Sequence, residues 1–96
     1  MGSTGSTPLE SEKVNVIIYR EHDKMLVRTY GNYPEFEELR KLIGGKIECL
    51  SHIKDKHDIY CDEERKSKNL YENKLFFNDF NTELLGNVVV ISLTPK

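Results

Sequence analysis

Tryptophan is absent, there are only two cysteines and three prolines, and neither charge dominates: 14 basic side chains face 16 acidic ones, for a formal net charge of −2. Two cysteines are too few for a disulfide scaffold, so a reduced, cytoplasmic protein is expected. The slight acidic excess argues against a nucleic-acid binder that works by bulk electrostatics. No run of 18 apolar residues and no secretory h-region occurs, so neither a membrane nor export is expected. There is no glycine-rich phosphate loop, and no motif points to a cofactor.

What is present fits one small domain in 96 residues. Residues 1–12 are rich in Gly, Ser and Thr and lack periodicity, so they read as an expression scar or flexible leader; the domain is expected over 13–96. A domain this small buries a modest fraction of its surface, which leaves a homo-oligomer open.

The organising stretch runs from Pro34 to Glu48. Pro34 suits the first position of a helix, with Asn32 or Tyr33 as cap. Glu35, Glu37 and Glu38 precede Arg40 and Lys41, an order that complements the helix dipole. Phe36, Leu39, Leu42 and Ile43 form an apolar stripe, and Gly44 closes the helix.

Around it lie strand-like segments. Val14 to Arg20 and Met25 to Tyr30 flank a polar break and make a hairpin, with Val14, Val16 and Ile18 on one face and Ile17 and Tyr19 on the other. Lys46 to Ile53 and Asp58 to Asp62 make a second hairpin. Asn87 to Leu93 is apolar on both faces, which suits a central strand. Between them, Asp62 to Asn69 is a charged loop, and Leu70 to Asn81 mixes aromatics with asparagines. Asp79 to Leu85 is expected to form a short helical turn closed by Gly86. The order β-β-α-β-β-β, with one amphipathic helix on one face of a mostly antiparallel sheet, is an α+β fold.

Four segments carry a family resemblance: Leu42-Ile-Gly-Gly-Lys-Ile-Glu48, Asp62-Glu-Glu-Arg-Lys66, Leu70-Tyr-Glu-Asn-Lys74 and Gly86-Asn-Val-Val-Val90. In order and spacing they resemble the domain of unknown function 3846, a family of small proteins of phages, plasmids and related viral or mobile genomes. Asp62, Arg65 and Lys74 stand where that family's pattern has Asn, Gly and Arg. The resemblance implies an accessory protein without an assigned activity.

Three constellations bear on chemistry. Cys49, His52, His57 and Cys61 sit near zinc-ligand spacing. A two-residue turn at Asp55-Lys56 would pair Cys49 with Asp62 and Leu50 with Cys61, sending the two thiols to opposite faces. His57 and Cys61 would share a face but lie ~13 Å apart at the usual rise, too far for direct activation. The second constellation is Glu48, Asp62, Glu63 and Glu64. The same register sets Glu48 opposite Glu63, with Lys46, Lys66 or Lys68 available to separate them; a metal-dependent hydrolase on Glu48, Asp62 and Glu63 is the enzymatic alternative. The third joins Asn69, Asn73, Asn78 and Asn81 to Tyr71, Phe76, Phe77 and Phe80. It could stack and hydrogen-bond a nucleotide, helped by Arg65, Lys66, Lys68 and Lys74, although loop asparagines more often satisfy backbone.

The leading expectation is non-catalytic binding of a host or viral protein, or of a small ligand. Its surface is expected at Asp62, Glu63, Glu64, Lys66, Asn69, Asn73 and Lys74, where polar side chains are densest beside aromatics.

Overall fold

Val88, Val89, Val90 and Ile91 are all fully buried, so the strand that holds them needs apolar cover on both sides. The computed structural model describes residues 13–21 and 26–92. It contains β1 (Val14–Tyr19), β2 (Leu26–Gly31), α1 (Phe36–Ile43), β3 (Ile47–Cys49), β4 (His57–Asp62), α2 (Lys74–Phe80) and β5 (Val88–Ser92). The strands form one sheet in the order β2-β1-β5-β4-β3, and every pairing is antiparallel. This is the expected α+β class, with β5 at the centre. The leader at 1–12 and the strand ends at Met25 and Leu93 lie outside the described residues.

Each hairpin places one strand beside β5 and the other at an edge. Alternation of side chains then splits the core in two. On one face α1 packs Leu39 and Ile43 against Val14, Val16, Val89 and Ile91. On the other, Phe76 of α2 packs with Tyr19, Ile59, Cys61, Val88 and Val90.

α1 starts later than Pro34. Glu35 occupies the cap position without a side-chain hydrogen bond, and Gly44 closes the helix in the left-handed conformation. The residues before it reach sideways instead: the Tyr33 hydroxyl donates to Asp58 Oδ2 at 2.5 Å and lies 2.8 Å from the Tyr60 hydroxyl. Phe36 departs from the expected stripe. It is 61% exposed, with the Arg40 guanidinium 5.9 Å from its ring centre, while Leu39 and Ile43 are buried.

The second helix corrects the expected turn at Asp79–Leu85. Its limits are set by asparagines. Asn73 caps the first turn, its Oδ1 accepting from Phe76 N, and Asn81 closes the last turn in the left-handed conformation. Asparagine competes with helical hydrogen bonding inside a helix and suits its ends. A bridge between Glu72 and Leu85 brackets the helix, and the hydrogen bonds Asn73 N to Leu84 O and Gly86 N to Tyr71 O, both 2.8 Å, fix the bracket. Inside it, Phe76 and Phe80 stack at 4.6 Å, Tyr19 meets Phe76 edge-on, and the Tyr19 hydroxyl donates to Asp79 at 2.8 Å.

The second hairpin is also corrected. β3 has three residues rather than eight, because the chain turns after Leu50, whose N–H bonds Ile59 O at 2.7 Å. Cys49 faces Tyr60 and Glu48 faces Cys61, a register two residues from the expected one. A shift of two preserves the alternation, so the thiols still point to opposite faces. The expected opposition of Glu48 and Glu63 does not occur.

Asn73 is fully buried, and its Nδ2 donates to Tyr19 O and Gly86 O at 2.8 and 2.7 Å. Asn73→Ala strips the cap and leaves two buried carbonyls short of a donor, at about 2–4 kcal/mol. Asn78→Ala, on the exposed side of α2, should change stability by no more than about 0.5 kcal/mol. Urea unfolding of both variants checks this; equal losses would remove Asn73 from its structural role.

Candidate functional site

The charged loop after β4 is a series of tight turns built on one carboxylate. Asp62 is 1% exposed. Its Oδ1 accepts from Glu64 N and its Oδ2 accepts from Lys68 Nζ, each at 2.8 Å. Its carbonyl accepts from Arg65 N at 3.2 Å and from Arg65 Nη1 at 3.0 Å. Arg65 Nη1 also meets Glu48 Oε1 at 2.8 Å. Backbone bonds from Lys68 to Glu64, Asn69 to Lys66 and Leu70 to Arg65 complete the turns, and Asn69 ends them with positive φ.

Lys68 extends this network to α1, its Nζ lying 3.4 Å from Gly44 O at the helix C-terminus, the end that favours a cation. It crosses directly over Gly45. A Cβ on Gly45 would stand 2.7 Å from Lys68 Nζ and 3.5 Å from Asp62 Oδ2. Any larger residue would push the ammonium away from the carboxylate. The ion pairs leave their mark on the cations: Glu48 holds the Arg65 guanidinium above its usual pKa, and Asp62 does the same for the Lys68 ammonium.

The result is an open depression of about 410 Å³ lined by Lys46, Glu48, Glu63, Glu64, Arg65, Lys66 and Ser67. Lys46 Nζ and Glu64 Oε2 stand 4.0 Å apart on its rim, both well exposed. Glu63 N donates to Lys46 O at 2.9 Å.

Of the seven residues expected to form a binding surface, Glu63, Glu64, Lys66, Asn69 and Lys74 are exposed. Asp62 and Asn73 are not surface groups; both are buried and fully engaged within the fold, because each anchors backbone that would otherwise lack partners. Glu48, Asp62 and Glu63 do not converge: the first is paired with Arg65, the second lies beneath Lys68, and the third faces solvent. Of the basic group, Arg65 and Lys68 are occupied by these pairs, leaving Lys66 and Lys74 exposed. Of the aromatic group, Phe76 and Phe80 pack in the core, whereas Tyr71 and Phe77 are 67% and 40% exposed.

Cys49 and His52 are exposed and Cys61 is buried. His57 Nδ1 donates to Asp55 O at 2.8 Å, and its ring meets Phe80. Among the described residues, no group of three or more His, Cys, Asp or Glu side chains could hold a metal ion. None of the helices described is long and apolar enough to cross a membrane.

Two groups escaped sequence reasoning. Arg65 was not among the side chains expected to separate the carboxylates, because its reach to Glu48 depends on the hairpin register. Tyr33, Asp58 and Tyr60 form a hydrogen-bonded line across the α1 face, with Cys49 opposite Tyr60. Burial, with the bond to Asp58 next, raises the Tyr33 phenol. Burial also raises the Tyr60 phenol and the Cys49 thiol. Nothing in sequence spacing announces this line, since Tyr33 and Asp58 are 25 residues apart.

A family model described as domain of unknown function (DUF3846) matches residues 14–96. The chain belongs to this family. No curated protein and no solved structure matches it. The geometry explains the four segments that resemble DUF3846. They close two clasps. Glu48 of the first segment pairs with Arg65 of the second, and Gly45 of the first lies under the Lys68–Asp62 pair that ends on the second. Leu70 and Asn73 of the third meet Gly86 of the fourth, where a Cβ would come within 2.7 Å of Leu70 Cδ1.

Gly45→Ala should displace Lys68 from Asp62 and lower the urea midpoint, and in a Lys68→Ala background the same substitution should lower it less than Gly45→Ala alone. Unfolding titrations of the double-mutant cycle check this, and additive costs would show that the glycine serves another purpose. Burial also pushes the Cys61 thiol up to about 11 from 9.0. The folded state then holds its proton more tightly than the unfolded state. That contribution is complete below about pH 9 and lost as pH rises through about 11. Cys61→Val should show a shallower alkaline loss of stability, and an unchanged slope would assign the loss elsewhere. In the native protein a disulfide reagent should label Cys49 first and Cys61 only on unfolding.

Proposed function

We propose that this is a non-catalytic binding protein of a virus or mobile genetic element, acting inside a host cell on a host or viral protein. The observation that carries the reading is the locked turn from Asp62 to Leu70. Its backbone is held by the Asp62–Lys68 and Glu48–Arg65 pairs, while Glu63, Glu64 and Lys66 project outward from it. A charged surface fixed before contact loses little entropy on binding, which is what a recognition element requires. The depression beside it, lined by both signs of charge, favours a partner with a matching mixed pattern, because charge complementarity sets specificity and association rate. The mobile-element setting is supported by the chain's membership of DUF3846.

Among ligand classes, a protein surface suits the site better than a nucleic acid. Arg65 and Lys68 are paired with carboxylates and Lys46 lies 4.0 Å from Glu64, so few cations remain to release counterions from phosphates.

The combined charge reversal Glu63→Lys, Glu64→Lys and Lys66→Glu tests this surface without touching the buried pairs. Wild type and variant serve as bait in a host-cell lysate, with bound proteins quantified by mass spectrometry. A protein retained by wild type should fall at least tenfold on the variant, while circular dichroism and urea midpoint stay close to wild type. Retention of the same proteins at the same levels by both would overturn the assignment.

A further inference from the structure

β2 stands at the end of the strand order, and among the described residues only β1 pairs with it. Its six residues pair with β1 in unbroken register, from Val14 opposite Gly31 to Tyr19 opposite Leu26. No bulge twists the edge away, no proline interrupts it, and Arg28 is its one charged position. These are the devices by which edge strands normally avoid pairing. The other edge differs: β3 is three residues long and turns away after Leu50.

We infer that β2 pairs antiparallel with β2 of a second copy of this chain, joining two five-stranded sheets across a twofold axis. The choice of a second copy rests on the self-complementarity of the strand. A twofold axis perpendicular to the sheet sets one residue opposite itself, and its neighbours pair reciprocally. Two registers keep five of the six residues paired. Centring on Arg28 opposes two arginines, which is unfavourable. Centring on Thr29 opposes two threonines, sets Arg28 against Tyr30 twice, and sets Val27 against Gly31. Threonine pairs are favourable across antiparallel strands, and no like charges meet. Thr29 is exposed, as the central position of such a contact must be. The pairing also continues the antiparallel pattern of every other strand.

An edge contact of this length buries less area than a standard stable interface, so a micromolar, concentration-dependent dimer is expected. This surface is separate from the turn after β4, and the inference does not depend on the binding reading.

Sedimentation of the full chain over a wide concentration series tests it. A monomer–dimer equilibrium is expected, and Thr29→Lys, which opposes two ammonium groups at the axis, should weaken it roughly tenfold or more. Circular dichroism and the urea midpoint keep the reading independent of misfolding. A second measurement fixes the register. In a Cys49→Ser background, mild oxidation should link Thr29→Cys into a covalent dimer, since directly opposed Cα atoms lie about 4.5–5.5 Å apart, within disulfide range. Val27→Cys should not link. A chain that stays monomeric throughout, a dimer indifferent to Thr29→Lys, or coupling at Val27 in place of Thr29 would each overturn the inference.

Discussion

A strand that is apolar on both faces imposes the architecture. Val88 to Ile91 cannot lie at an edge or on a one-sided sheet without exposing two of four large side chains to water, at roughly 1.5–3 kcal/mol each. The chain therefore needs strands on both sides of β5 and a helix over each face. Two hairpins provide the strands, with β1 and β4 taking the inner positions. The helices are short, at eight and seven residues, well below the length at which a helix is stable by itself in water. Their stability comes from docking, and docking requires their ends to be held.

The clasps do that holding. α1 ends where Lys68 leans over Gly45 to reach Asp62, so the helix exit, the start of β3 and the end of β4 are joined at one point. α2 starts at Asn73, whose amide also joins β1 to the entry of β5. Asp62 and Asn73 are the two buried polar residues among those described, and every polar atom of their side chains has a partner. A buried polar group with all its bonds made specifies geometry, since few alternative arrangements satisfy it. Asp62 and Asn73 thus help hold two undersized helices on a sheet.

The same economy shapes the candidate surface. A turn rich in Glu, Lys and Arg would ordinarily be solvated and mobile, and isolated surface ion pairs contribute little. Here one partner of a pair is buried: Asp62 is 1% exposed and its lysine partner 36%. That difference turns an ordinary charged loop into a fixed one and leaves Glu63, Glu64 and Lys66 as the groups displayed.

Much of the fold was legible from the chain alone. The assignment of Val14, Val16 and Ile18 to one face and Ile17 and Tyr19 to the other, the central place of β5, and the opposite orientation of Cys49 and Cys61 all follow from the period-two alternation of strands. The helix near Leu39 follows from its apolar spacing. α2 was misplaced because its boundaries depend on asparagines, whose local signal is the same for a cap as for a turn. The hairpin register was displaced by two residues because the chain leaves β3 at Leu50 and turns over 51–56, which is no standard short connection. The site was legible as a charged region but not as an arrangement. Sequence by itself determined which residues are apolar, which faces they occupy and where charge is dense, because these depend on neighbours along the chain. Tertiary structure alone decided that Asp62 and Asn73 are buried, that Arg65 meets Glu48 and that Tyr33 meets Asp58, because those contacts join residues brought together by the register of the sheet.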